Sequence, residues 1–267
     1  MSFQSIPQGK VTPDSKFFGL FIGRSSSGKS CAAASFPKKL KNYDADLRKG
    51  FLGAKFLNKE GNSWTPWPPR QTTIAMIEEE MTNLENMYFK ANQRPYETIQ
   101  LSSINSVMRL AINDGRKLIG AGREKGGVQL TGPGDFNFAY QAIYNLFDFL
   151  KMLPCHVIIE CQVQPRWIKD DKKDRTGQLL EYQENVQEGE TLSGVPLNLG
   201  ESVLGMFDEV YRFSKNDDGS KHYVEFSGNI ARSVYDLPRT KIEITGKEFY
   251  PIWKELVEKA MTKEVPK

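Results

Sequence analysis

Residues Gly23-Arg24-Ser25-Ser26-Ser27-Gly28-Lys29-Ser30 fit the pattern G-x-x-x-x-G-K-[ST] without a mismatch. The chemistry that this spacing serves is phosphate binding. Glycines let several backbone N–H groups converge on an anion, and a helix beginning in the loop adds the positive end of its dipole. Lys29, expected to face solvent without a ligand, would reach the β- and γ-phosphates and the Ser30 hydroxyl would ligate Mg²⁺, with the backbone through Cys31 completing the cradle. The pattern implies a site for a nucleoside triphosphate such as ATP.

A triphosphate site that also hydrolyses needs a second Mg²⁺ contact, a group that orients water, and a cation for the transition state. Candidates stand at the ends of the predicted strands. Asp44 and Asp46 follow the second, Ser102 and Ser103 the third, and Glu160 and Gln162 the fourth. Asp44, Asp46 and Glu160 are each able to supply the second metal contact. Two histidines, His156 and His222, and no C-x-x-C pair give no zinc pattern.

The elements that must position these groups follow from periodicity. Phe17 to Ile22 is a short apolar run that predicts a buried strand, and Cys31 to Phe36 is a helix-permissive run ending before Pro37. Leu40 to Tyr43 is a weak second strand. Residues 49–72 predict an irregular excursion in which Trp64 and Trp67 pack on the domain. Helices are predicted over 74–89 and 104–119, with a strand at Thr98–Ser102 between them. Residues 120–134 are too glycine-rich for regular structure, and Asp135 can cap the following helix. His156 to Gln162 is the clearest strand after the first. A charged segment without periodicity covers 163–200. Two strands, 210–213 and 223–226, bracket a turn at Asn216-Asp217-Asp218-Gly219. Another strand spans 241–245, and a helix with one apolar face closes the chain.

Strands that alternate with helices and then meander predict an α/β fold, a mostly parallel sheet flanked by helices with an antiparallel edge. The expected organisation is a flexible lead-in over 1–16, a nucleotide-binding domain over 17–245, and a C-terminal helix over 246–267 packed on that core. In such a sheet the ligand lies at the carboxyl ends of the strands.

The order of these features resembles the RecA-like P-loop ATPases, and is most similar to the compact phage-encoded AAA-type ATPases of the recombination, single-strand annealing group. The segments Asp44-Ala45-Asp46-Leu47-Arg48, Pro95-Tyr96-Glu97-Thr98-Ile99, Phe207-Asp208-Glu209-Val210 and Asn229-Ile230-Ala231-Arg232 carry the likeness beside the phosphate loop. The resemblance implies a RecA-like core and a DNA-dependent ATPase of phage recombination or replication. It puts Asp46 near the water-activating acid, Gln162 at a γ-phosphate sensor, and Arg232 in a stretch that carries a trans-acting cation. It makes 120–134 and 163–198 DNA-binding loops, the second with Arg166, Trp167, Lys169, Lys172, Lys173 and Arg175. Basic side chains that track a backbone, with an aromatic to stack a base, suit single-stranded DNA. One departure stands out: the family's third strand ends in an aspartate, where this chain has Ser102.

With 267 residues, 39% hydrophobic and 26% charged, the chain has the composition of a globular protein. No run approaches a membrane span, and Met1 to Lys10 lacks the pattern of a signal peptide. Cys31, Cys155 and Cys161 read as reduced core thiols, so the expected location is the cytoplasm of a phage-infected bacterial host. A net charge of +3 means that nucleic acid would be held by local patches. The partners implied are single-stranded DNA, further copies in a homo-oligomer or filament, and a single-strand DNA-binding protein. Two other readings stay open. One is a nucleotide-gated DNA-binding or regulatory protein without efficient turnover; the other is a P-loop small-molecule kinase.

Overall fold

The structure is a computed structural model that describes residues 16–37, 39–47, 61–119, 124–125, 128–129, 131–173, 179–195, 197–228 and 230–262; side chains at 124–125, 128–129, 167–173, 179–189 and 197–199 are not described. Strand β1 (Phe18–Gly23) sits near the middle of one sheet, where its apolar residues are covered on both faces. Its chain then forms the short helix α1 (Lys29–Ala33) and β2 (Leu40–Asp44). Next come β3 (Ser63–Pro66), α2 (Ile74–Glu85), β4 (Thr98–Ser102) and α3 (Ile104–Leu118). A two-strand pair, β5 (Glu124–Lys125) and β6 (Val128–Gln129), precedes α4 (Pro133–Met152). Strands β7 (His156–Lys173) and β8 (Leu179–Leu192) follow, then α5 (Leu197–Gly205). The chain ends with β9 (Glu209–Lys215), β10 (His222–Glu225), β11 (Ile242–Glu243) and α6 (Phe249–Thr262).

Among the described residues the main sheet runs β11-β10-β9-β1-β7-β4-β2-β3, with β8 paired to β7 alone. Strands β9, β1, β7, β4, β2 and β3 are parallel, and β10 and β11 make an antiparallel edge. The fold is therefore α/β, with a mostly parallel sheet flanked by helices. From β1 the chain crosses to β2 on one side; from β7 it goes to β9 on the other side of β1. That reversal opens a crevice at the carboxyl ends of β1 and β7.

Two apolar cores cover the sheet. On one face Phe21, Ile158 and Tyr211 pack with Phe36 of the α1 region and with Phe249 and Trp253 of α6. On the other, Leu20, Ile22, Leu101 and Ile159 pack with α2, α3 and α4. No helix among the described residues is long and apolar enough to cross a membrane.

Several segments depart from the sequence reading. The largest is 163–200, where the backbone forms a long hairpin: β7 runs on past the sheet and pairs with β8 from Val163↔Leu192 to Lys173↔Leu179. The extension leaves the two-faced core, so its residues need no apolar alternation, and the period-2 signal is missing. Within 49–72, Ser63–Pro66 is an edge strand because Lys41 to Asp44 pairs with it in register. Within 120–134, residues 124–125 and 128–129 pair. The helix predicted over 74–89 is α-helical only to Glu85, after which Asn86–Lys90 widens into one π turn. Asp135 caps α4 from inside the helix, its Oδ2 accepting the Gly132 N–H at 2.7 Å.

Candidate phosphate site

Backbone geometry makes the loop. Gly23 ends β1 at φ 152°, and a Cβ there would lie 2.2 Å from the Phe213 carbonyl oxygen and 2.7 Å from Ser27 Oγ. Gly28, at φ 99°, turns the chain into α1, a conformation that other residues adopt only with strain. Between them Arg24, Ser25, Ser26 and Ser27 bend over the strand end, with Ser26 at φ 59°. The expectation that Lys29 faces solvent is corrected. Its side chain is buried, and Nζ donates to the carbonyls of Gly23 and Arg24, both at 2.9 Å. The expectation that Cys31 is a core thiol is corrected too: it is exposed beside the loop, whereas Cys155 and Cys161 are buried.

Ser26, Ser27, Gly28, Lys29, Ser30, Asp46, Ser103, Glu160 and Gln162 line one cleft of about 380 Å³. Three strand ends thus meet the loop, but the three candidate carboxylates differ in what they touch. Glu160 is buried on β7, and its Oε2 accepts the Ser30 hydroxyl at 2.8 Å. Its Oε1 accepts Ser102 Oγ at 3.3 Å and a close contact from Gln100 Nε2. Burial pushes its pKa up, while the nearby Lys29 ammonium and the donors from Ser30 and Gln100 oppose the rise. Asp46 caps the rim: Oδ1 accepts Ser103 Oγ at 2.8 Å and also Ser106 Oγ, to which Arg109 donates at 2.9 Å. Asp44 is turned elsewhere. It accepts the Trp64 indole N–H at 3.1 Å and does not line the cleft. Burial raises its pKa as well, with the Trp64 bond opposing.

Gln162 sits where β7 leaves the sheet. Its N–H donates to Asn105 Oδ1 at 2.8 Å, its carbonyl accepts the Ser193 N–H at 2.7 Å, and Asn105 Nδ2 donates to the Ser193 carbonyl. One asparagine in the first turn of α3 thereby holds both strands of the hairpin at its root. On the other side Glu190 lies 3.9 Å from Arg24 of the loop and accepts Arg212 Nε at 2.7 Å, and Arg212 also pairs with Glu225 at 2.8 Å.

Of the DNA-binding candidates, Arg166 pairs with Glu201 at 3.9 Å. Trp167, Lys169, Lys172 and Lys173 lie on β7, their side chains outside the described residues, and Arg175 is outside them altogether. Strand β8 sets Glu181, Glu184, Glu188 and Glu190 on the same arm, which makes Val163 to Leu192 acidic on balance. Arg232 is not brought to the cleft. Its exposed side chain donates to the carbonyls of Phe207 and Leu204, where α5 ends.

Gln100, Asn105, Ser106, Arg109 and Arg212 were missed as candidates. For Gln100 a signal exists, since Asn42, Asp44, Gln100, Ser102, Glu160 and Gln162 are polar residues at alternate positions of buried strands. Chains do not bury polar side chains on parallel strands without partners or a ligand to meet. The chain matches no protein-family model and no curated protein.

Proposed function

We propose that this protein binds a nucleoside triphosphate, in the first place ATP, at the loop over Gly23 to Cys31 and hydrolyses it in response to single-stranded DNA. The supporting observation is the convergence of Lys29, Ser30, Asp46, Glu160 and Gln162 on one cleft at the carboxyl end of the central strand. The described residues hold no cluster of three or more His, Cys, Asp or Glu that would take a metal by itself. An oxygen-only donor set beside a phosphate loop nevertheless suits Mg²⁺, which keeps waters and uses one or two protein oxygens plus the phosphates. Ser30 Oγ is the protein oxygen offered to it. When bound, the ion neutralises charge on the β- and γ-phosphates.

The chain's own groups divide the remaining work. Loop N–H groups bind phosphate oxygens, and Lys29 exchanges the carbonyls of Gly23 and Arg24 for them. Asp46, fixed by Ser103 and Ser106, orients the attacking water and accepts its proton. Gln162 contacts the γ-phosphate from the root of the hairpin, which carries that state to DNA. On an arm that is acidic overall, DNA contact rests on the basic residues of β7 and on stacking by Trp167. The biological setting that fits is phage recombination or replication in the host cytoplasm, with several copies on one strand.

Ser102 favours a second reading. It supplies no charge at the end of β4, as expected of a nucleotide-gated DNA-binding protein with little turnover. ATP turnover measured with and without single-stranded DNA separates the two. Stimulation by DNA is the expected result; DNA binding gated by ATP without turnover would replace the first reading by the second, and phosphoryl transfer to a small acceptor would point to a kinase.

A further inference from the structure

We infer that the metal-directing carboxylate of this site stands on β7, as Glu160, and that Ser102 on β4 is its support. The inference rests on the triphosphate reading above. Of the three carboxylates at the strand ends, Glu160 is the one bonded to Ser30 Oγ, at 2.8 Å. Asp44 is held by Trp64, and Asp46 by Ser103 and Ser106. A hydroxyl that donates its proton to a carboxylate keeps its lone pairs for a cation. Glu160 therefore sets the direction in which Ser30 presents them.

The carboxylate is itself held in place. Its Oε1 is occupied by Gln100 and Ser102, which leaves Oε2 as the oxygen that answers to Ser30 and to a metal-bound water. The hydroxyl on β4 hydrogen-bonds the glutamate of the neighbouring strand β7, so the charge stands one strand nearer to β1 than Ser102 does.

The position has a mechanical consequence. Glu160 and Gln162 alternate on β7, and Val163 opens the hairpin ladder immediately after them. The acid that answers to the metal, the residue at the γ-phosphate side and the projecting arm are one continuous strand.

The test is the Mg²⁺ dependence of binding, read with a fluorescent non-hydrolysable ATP analogue in Mg²⁺ and in EDTA. In the parent, Mg²⁺ is expected to tighten binding roughly tenfold or more, about 1.4 kcal/mol for each factor of ten. Glu160→Gln is expected to bind in EDTA at least as tightly as the parent, since a negative charge beside the phosphates is gone and the loop is intact, and to lose the Mg²⁺ gain. Ser102→Ala is expected to keep most of it. Ser102→Asp alone sets two carboxylates side by side and is expected to weaken the gain. Combined with Glu160→Gln, it is expected to restore the gain. Full Mg²⁺ tightening in Glu160→Gln, or its complete loss in Ser102→Ala, would overturn the assignment while leaving the triphosphate site standing. Failure of the parent to bind the analogue in either buffer would overturn the triphosphate reading and this inference with it.

Discussion

His156 opens β7 at the end of the sheet away from the loop, and its Nδ1 accepts the Phe17 N–H at 3.0 Å. An imidazole that accepts at Nδ1 must be neutral, because protonation turns both ring nitrogens into donors. Burial accordingly depresses its pKa from 6.5 to about 4. The unfolded chain binds a proton in that interval and the folded chain does not, so the stabilisation is complete above pH 6.5 and is lost as pH falls towards 4. Its size is about 3 kcal/mol. Denaturant unfolding at the two ends of this window should show the parent losing more stability on acidification than His156→Gln; parallel losses would contradict the assignment. At the same scale, Lys29 is a buried ammonium satisfied by its own loop. The phosphate pattern names this lysine but not its resting partners, because carbonyls 5 and 6 residues back reach it only once Gly23 has turned the chain.

Among the elements, the hairpin of β7 and β8 depends on its root. Beyond Gln162 it has the ladder to its own partner strand and, among the described residues, no second sheet neighbour. Asn105 bonds Gln162 and Ser193 together, so Asn105→Ala removes both bonds and leaves each partner exposed to water. Hydrogen exchange should speed at Gln162 and across the first ladder pairs, while affinity for the ATP analogue stays within about threefold, since none of the phosphate-loop groups is touched. Unchanged exchange would mean that the ladder and the Glu190 ion pairs hold the root without Asn105. The elements on the two-faced core were legible in the sequence. Leu20, Ile22, Ile99, Leu101 and Ile159 announce buried strands, and Ile77, Met81 and Leu84 a helix face. The arm was not, because a projecting ladder is under no demand to alternate. Edge strand β3 was hidden for a related reason: its register comes from β2, while its own composition of Trp and Pro reads as a loop.

For the molecule as a whole, the strand order gathers residues from 26 to 162 into one cleft, and it does so by crossing from β1 to β2 on one side and from β7 to β9 on the other. The glycine loop was legible from local spacing. The identity of the carboxylate was not, because Ser30 and Glu160 lie 130 residues apart and meet only through the β1–β7 pairing. Arg232, which a short sequence likeness sets in a stretch that carries a trans-acting cation, lies outside this cleft, and within its own chain the guanidinium donates to the carbonyls of Phe207 and Leu204 where α5 ends. The proposed assembly on DNA and the proposed coupling through Gln162 both presuppose a filled phosphate site. The direct test is a titration of Mg²⁺–ATP into the parent and into Lys29→Ala, with the thermal unfolding of each free protein as a control on folding. The expected result is one saturable site per chain in the parent and binding weakened roughly 10- to 100-fold in the variant, the loss of one charge-assisted contact to phosphate. Equal affinity in the two proteins, both folded, would contradict the assignment of the site to this loop.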